Sequence, residues 1–361
     1  MNKDAKIVLL IVFILVMLGI VMIFSSSAVY AYNKYSDSLF FVKKHLLYLC
    51  FSAFFALLSM ALSIDFLKAN ARLIIFLFIF LLILVLIPGI GKQIAGARRW
   101  FRFFGFSLQP SELSKIAVII YFSSVIAHKK YIIKSFKYVF LPLLFVLGLI
   151  SGLILLEPDL GTCVSIVFIG FILLFISDVQ LKYLFSICGF TIPLLIFAIM
   201  YAPYRMKRVI AFLNPWEDAK GSGFQLIQSF IALGSGGLFG VGLGASKQKL
   251  FYLPESHTDF IFSIIGEELG FLGSIFVIIL FGLFIFFSLR IAFKIKDIFA
   301  SRIVFGIASM VGFEVFVNIG VSTGLLPTKG LTLPFISYGG TSLLSHFIAV
   351  GLILNMSRKV E

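Results

Sequence analysis

Charge is scarce: Asp, Glu, Lys and Arg together make 13% of 361 residues, too little to cover a water-soluble globule of this size. Acidic residues are scarcer still, 16 against 30 Lys and Arg. Cysteine is nearly absent. Cys50, Cys163 and Cys188 stand singly inside apolar runs, without redox or metal-ligand spacing, and are read as small buried hydrophobes. No P-loop and no glycine-rich dinucleotide fingerprint occurs, so a nucleotide-driven pump is a poor fit, and neither nucleotide, haem nor flavin is expected. Zinc and helix-turn-helix spacings are missing, and Lys and Arg do not alternate with exposed aromatics away from apolar runs. The net charge of +14 is therefore not read as a nucleic-acid footprint. These cations flank apolar runs, where anionic lipid headgroups would meet them.

What is abundant is apolar sequence: 61% of residues are hydrophobic and the mean hydropathy is +1.12. A helix needs about 20 apolar residues to cross the roughly 30 Å of hydrocarbon. Ten runs qualify, opening near Ile7, His45, Leu73, Pro110, Val139, Leu160, Leu184, Phe260, Arg302 and Ser337. An even number puts both termini on one side. The first run follows Lys3 and Lys6 and is also readable as a secretory signal, but its length argues for a retained span. The expected fold is an all-α polytopic membrane protein. It is a single domain over 1–361, a bundle of about ten transmembrane helices with a long extracytoplasmic loop, about 203–258, between helices 7 and 8.

Lys and Arg divide evenly, fifteen to each side of this arrangement. The positive-inside rule concerns short juxtamembrane loops, and the side of the termini has the short Lys-rich ones, such as 128–134. The termini are therefore expected in the cytoplasm. On the opposite side the cations crowd into Gly91 to Gln109 and Pro203 to Thr258, the second long for a connection without obvious secondary structure. Both tryptophans fall in these loops. Trp100, beside Phe101, Phe103 and Phe104, fits an interfacial anchor equally well. Trp216, in the turn-rich stretch Asn214 to Asp218, favours a site role. Between Gly221 and Gly244 lie eight glycines and an apolar core that suits a short re-entrant helix.

Ionisable residues at a membrane edge are costly and hence functional candidates. Glu112 and Lys115, three apart behind Pro110, share a helix face. They are either a self-neutralising pair or, with Arg98 and Arg99, a pocket for a phosphorylated headgroup. Glu157-Pro158-Asp159 is either a tight turn with Asp159 capping the next helix or a support for the cavity. Leu253 to Phe260 holds Glu255, His257 and Asp259. Thr258 as N-cap and Asp259 in a first turn would be ordinary helix-start chemistry, but the cluster under a cationic loop also suits a carboxylate that takes a proton from a hydroxyl. Ser263 and Gly266 share the face of Asp259, where small residues leave room for a sugar or lipid. One of Glu267 and Glu268 is expected to be paired inside the bundle. The fourth stretch, Asn318 to Ser342, offers Gly- and Ser-rich helix starts to anions, or close packing at Gly339-Gly340.

Six blocks in order resemble the SEDS family (shape, elongation, division, sporulation). They are Gly96 to Trp100, Gln109 to Glu112, Glu157 to Thr162, Asn214 to Asp218, Leu253 to Phe260 and Ile336 to Gly340. Ile264 to Gly270 and Pro327 to Pro334 look more like its cell-division branch than its elongation branch, and a sporulation paralogue would look much the same. Glu157, where many members carry Gln, departs from the pattern.

The resemblance implies a ten-helix glycosyltransferase of the bacterial inner membrane that polymerises lipid II into β-1,4 glycan strands on the extracytoplasmic face. It implies an FtsI-like class B penicillin-binding protein as transpeptidase partner, with other divisome membrane proteins. Asp259 matches the family's catalytic carboxylate, and Glu112 and Lys115 match its essential cavity residues. Asp259 is then a general base on the acceptor's 4-hydroxyl, and the polyprenyl pyrophosphate of the donor strand departs by inversion. Arg98, Arg99, Lys115, Arg205, Lys207 and Arg208 are the candidate cations for that departure, with or without a divalent cation (Mg2+ or Mn2+) at Glu112 and Asp259. Gln109, Trp216, Asp218, Gln225, Lys249, Glu255, His257, Thr258, Ser337 and Tyr338 complete the expected substrate contacts. The rival readings are a lipid II flippase or transporter and a non-catalytic division scaffold. Polar groups crowded at one face, without an inverted repeat, weigh against the first. The cluster from Glu255 to Asp259 weighs against the second.

Overall fold

In hydrocarbon a backbone must satisfy its own N–H and C=O groups, so long apolar runs become helices. The computed structural model describes residues 2–94, 96–103, 106–250 and 252–360, the side chains of Ile94, Phe103, Phe106 and Phe190 excepted. Phe104, named beside Trp100, lies outside the described residues, as does Phe251 in the second loop. Each of the ten apolar runs is a helix. In chain order the helices are α1 (Lys3–Tyr35), α2 (Phe40–Ala61), the short α3 (Ile64–Ala69), α4 (Ala71–Leu86), α5 (Pro110–His128), α6 (Leu141–Leu156) and α7 (Leu160–Phe175). There follow α8 (Leu181–Tyr201), α9 (Pro203–Leu213), α10 (Phe224–Gly236), α11 (Ile261–Lys294), α12 (Ile298–Ser322) and α13 (Gly340–Met356). Among the described residues eight helices are long and apolar enough to cross a membrane, and α4 and α7 are shorter apolar helices of 16 residues each.

Burial sorts these helices into a centre and a rim. In α12, Ile303, Val304, Ile307, Met310 and Val311 are all fully buried, and α5 and α13 pack against it. Outward faces carry Phe13, Phe54, Leu73 and Phe76, each exposing 61–68% of its surface, as a lipid solvent permits. The rim helix α8 is scarcely covered, which leaves a groove between it and α6 and α7.

The two loops are more structured than their sequences suggest. The first is a small antiparallel sheet, β1 (Lys92–Ile94), β2 (Ala97–Phe103) and β3 (Phe106–Leu108), in the order β1-β2-β3, with Lys92 opposite Trp100 and Arg102 opposite Ser107. An all-helical expectation misses it, although Arg98, Trp100 and Arg102 alternate with apolar Phe101 at strand period. In the second loop the expected lack of secondary structure is corrected by α9, a 3₁₀ turn over Pro215–Asp218, and α10. Helix α10 falls within the glycine-rich stretch read as a re-entrant helix.

Helix α11 is broken at Gly270, whose φ of 71° is open to glycine at little cost. The segment after α10 repairs the break: Val241 and Gly242 donate to the carbonyls of Glu267 and Glu268, while Phe271 donates back to Gly237. A Cβ at Gly236 would lie 1.9 Å from the Gly266 oxygen, so this approach requires glycine. Both carboxylates of the break are occupied. Glu268 pairs with Lys249 at 2.7 Å and accepts from Ser25, and Glu267 accepts from the Ser246 hydroxyl and the Lys247 amide.

Candidate active site

Three chain segments converge where Asp259 enters α11. Glu255 adopts φ 56°, and its carbonyl accepts from the amides of Thr258 and Phe260 at 3.1 and 3.3 Å, which curls the chain into a turn. The N-cap reading is corrected here: α11 begins at Ile261 after Phe260, with no side-chain cap, and the Thr258 hydroxyl donates to the Glu255 carboxylate at 2.8 Å instead. Asp259 is therefore free of capping duty and half-buried beside the loop that leads to α13. A Cβ added at Gly330 would lie 3.1 Å from its Oδ2, so that loop's backbone runs directly past the carboxylate.

Hydrogen bonds fix the turn against this loop. Tyr338 donates its amide to the His257 carbonyl at 2.9 Å, Ser337 donates its hydroxyl to the Thr258 carbonyl at 2.6 Å, and Asn318 reaches the Asp259 carbonyl at 2.9 Å. The His257 ring sits among Phe41, Tyr338 and Tyr30, at centroid distances of 4.7, 5.8 and 6.0 Å. Burial holds that imidazole below its usual pKa, against the pull of Glu255, which suits a packing group more than a proton carrier. Burial also raises the Tyr338 phenol.

At Asp259 itself, burial and then the Glu255 carboxylate push the pKa up to about 7. Arg208 acts in the opposite sense, and Asp159 adds to the rise. A carboxyl poised near neutral pH is matched to general-base work.

The second wall is the α6–α7 turn. Asp159 caps α7 through the Thr162 amide at 3.1 Å, accepts from Gln109 at 3.1 Å and lies 4.0 Å from Arg99. Strand β2 delivers Arg99 to the same turn, where it donates to the carbonyls of Glu157 and Pro158, both at 2.6 Å. Capping and cavity support thus coexist in Asp159. Glu157 is fully buried, and burial, then Asp159, push it up to about 8, against the smaller opposing effects of Ser111 and Arg99. Between the walls stands Lys329, half-buried, with Asp159 among its charged neighbours.

Several expected contacts are placed elsewhere. Lys115 is 1% exposed and bridges Glu112 at 2.9 Å and Glu314 at 2.5 Å, so its charge is balanced inside the bundle and is not offered to a headgroup. The self-neutralising reading of this pair stands, enlarged by Glu314 and by His346 at 2.6 Å from Glu314. Arg98 turns to the end of α4, towards the Leu86 carbonyl. Lys249 is buried against Glu268. Trp216 is 63% exposed, Asp218 closes a local turn by accepting from Ser222, and Gln225 is half-buried on α10.

Ser263 and Gly266 leave no room for a sugar. The Ser263 hydroxyl bonds Ser229 of α10 at 2.6 Å, and Leu233 covers Gly266. Arg205 reaches back to the Ala198 carbonyl at 2.9 Å, Arg208 lies near the Thr328 carbonyl, and the exposed Lys207 lies in the neighbourhood of Asp218. Among the described residues no three His, Cys, Asp or Glu side chains form a metal-holding group.

Lys329, Glu314 and His346 are not among the residues expected at the site. Lys329 was signalled by a cation between Pro327 and Gly330. Nothing local marks the other two.

The chain is similar to known proteins over nearly its whole length. Residues 5–361 match a family model described as cell cycle protein, covering FtsW, RodA and SpoVE. The chain is 41% identical over 355 residues to a probable peptidoglycan glycosyltransferase FtsW of Geobacter metallireducens, spanning 98% of this chain and 95% of that protein. It is likewise 41% identical over 354 residues to stage V sporulation protein E of Bacillus subtilis, 97% and 95% of the two chains.

Among solved structures, one described as a peptidoglycan synthase complex coordinating polymerization and crosslinking superposes with a TM-score of 0.78 at 31% identity, over 97% and 96% of the two chains. The rod shape determining protein RodA of Thermus thermophilus superposes at 0.73 and 27% identity, over 98% and 96%.

Proposed function

The chain belongs to the cell cycle protein family of FtsW, RodA and SpoVE, and from that premise we propose that it is a peptidoglycan glycosyltransferase polymerising lipid II for septal wall synthesis. It is a multi-pass membrane protein. Its termini face the cytoplasm of a bacterial inner membrane and Asp259 faces outward. A class B, FtsI-like transpeptidase is its partner, among other divisome membrane proteins. The curated relatives named FtsW and the likeness to a synthase complex support this reading.

The observation that carries the mechanism is the placement of Asp259. Its carboxyl, at about 7, is held by a clamped turn between Glu255, Arg208 and the Asp159 wall. It accepts the proton of the acceptor's 4-hydroxyl as that oxygen attacks the anomeric carbon of the lipid-linked donor strand. The bond from that carbon to the pyrophosphate oxygen breaks, with inversion from an α-linked donor to a β-1,4 product. Arg99 shapes the wall through the turn carbonyls, and Arg208 faces the developing charge.

Glu112 does not fit a resident metal, because Lys115 already neutralises it. A divalent cation arriving with the pyrophosphate would face Asp259 and Glu255.

Strand synthesis by purified protein plus transpeptidase, supplied with lipid II, tests the base. Asp259→Asn is expected to lose about 100-fold or more. A wild-type rate in that variant overturns the role, and lipid translocation without polymerisation would indicate a transporter.

A further inference from the structure

The cations around the site are mostly committed to protein partners. Arg99 holds the α6–α7 turn, Lys115 the Glu112–Glu314 pair, and Lys249 Glu268. Lys329 differs: among the described residues its ammonium has no ion pair and no hydrogen bond. Its backbone is nonetheless well fixed. Leu331 donates its amide to the Lys329 carbonyl at 3.0 Å, and Asn318 holds the Leu331 carbonyl at 2.7 Å. The Leu331 side chain lies against Gly161, where an added Cβ would meet it at 3.3 Å, and Arg208 approaches the Thr328 carbonyl at 3.5 Å. A pinned loop thus presents an uncommitted cation between the start of α7 and Asp259, with Arg208 across it.

Directly below, an apolar groove of about 400 Å³ runs between α6, α7 and α8. Groove and cations meet at two residues. Cys163 lines the groove and is a neighbour of Lys329, and Ala198 lines it while its carbonyl holds Arg205. Halfway along, Gly148 and Gly152 leave open space where a side chain would otherwise project. A greasy channel headed by two or three cations matches an amphiphile with a long hydrocarbon tail and a multiply charged anionic head.

We propose that Lys329, with Arg208, receives the diphosphate of the polyprenyl-linked donor, and that the groove between α6, α7 and α8 holds its first isoprene units. The assignment rests on the polymerase reading and deepens it by placing the donor on the α7–α8 side of Asp259. In the transfer, the acceptor hydroxyl gives its proton to Asp259, its oxygen forms the new bond to the anomeric carbon, and the electron pair of the broken bond leaves on the diphosphate. The added negative charge falls beside Lys329.

The test is binding of undecaprenyl diphosphate and undecaprenyl phosphate to the purified full-length protein. Wild type is expected to prefer the diphosphate by about tenfold or more, the scale of one charge-assisted hydrogen bond. Lys329→Met should abolish that preference and Lys329→Arg restore most of it. Gly152→Leu, which meets no atom within 4 Å and raises helix propensity, should weaken undecaprenyl diphosphate while leaving inorganic diphosphate unchanged.

A Lys329→Met protein that keeps the full preference overturns the head assignment. Unaltered undecaprenyl affinity in Gly152→Leu overturns the tail assignment. Turnover is read separately. Binding as expected by a protein that, together with its transpeptidase, makes no strand from lipid II supports the site and refutes the polymerase reading.

Discussion

The side-chain amide of Asn318, on α12, donates at once to the main-chain carbonyls of Asp259 at 2.9 Å and Leu331 at 2.7 Å. One buried residue therefore sets the spacing between the candidate base and the loop carrying Lys329. Asn318→Ala leaves both carbonyls unpaired and should lower kcat for strand synthesis by about 10- to 100-fold, the scale of a small misplacement at a reacting centre. The Michaelis constant for lipid II should change little. Steady-state kinetics on folded protein would contradict this if the loss appeared in KM alone.

Because Asp259 is held at about 7, strand synthesis should rise with pH through that value and level off above it, since only the ionised carboxylate takes a proton. Glu255 is the second cause of the rise, and its charge is removed in Glu255→Gln. The rising limb of that variant should move to lower pH. Loss of the Arg208 cation in Arg208→Gln should move it the other way. A pH–rate profile for each variant checks the two opposite signs.

Glu157 gives a prediction about stability. Its folded pKa, about 8, lies above the ordinary 4.5, so between those values the folded state binds more protons than the unfolded one and stability falls as pH rises. Glu157→Gln removes this liability. The variant should melt higher than wild type at pH 8 and no higher near pH 4.5. Equal melting differences at both ends would contradict the raised pKa of this buried carboxyl.

How far these features were legible in the sequence depended on distance along the chain. Helices over Ile261–Lys294 and Pro110–His128 follow from apolar length, and the cap of Asp159 on Thr162 spans three residues. Tertiary pairing overrode local reading elsewhere. Ser263 and Gly266 look like space below Asp259, but α10 is seated there through Ser229 and Leu233, residues more than thirty positions away in sequence. Thr258 has the composition of an N-cap and serves Glu255 instead, because the Glu255 turn redirects its hydroxyl. Glu314 carries no motif at all. Its meaning appears only when α5 and α13 bring Lys115 and His346 against it.

That buried group supplies the last prediction. Lys115 contacts Glu112 and Glu314, and His346 contacts the second oxygen of Glu314 while its Nδ1 lies 2.6 Å from the Ser342 carbonyl. Breaking such a set by removing one member strands a charge in low dielectric, at a cost of about 3–5 kcal/mol. Lys115→Met should therefore destabilise strongly by leaving Glu314 and Glu112 facing one another without a cation. Glu314→Gln should destabilise too, because Lys115 then keeps only Glu112. In the double variant the Lys115 and Glu314 charges disappear together and only Glu112 is left without its cation, so its loss should be below the sum of the singles. Melting of the two singles and the double measures the coupling. Additive losses would mean that these residues act independently, and activity lost from Lys115→Met beyond its loss of folded protein would return the ammonium to the substrate.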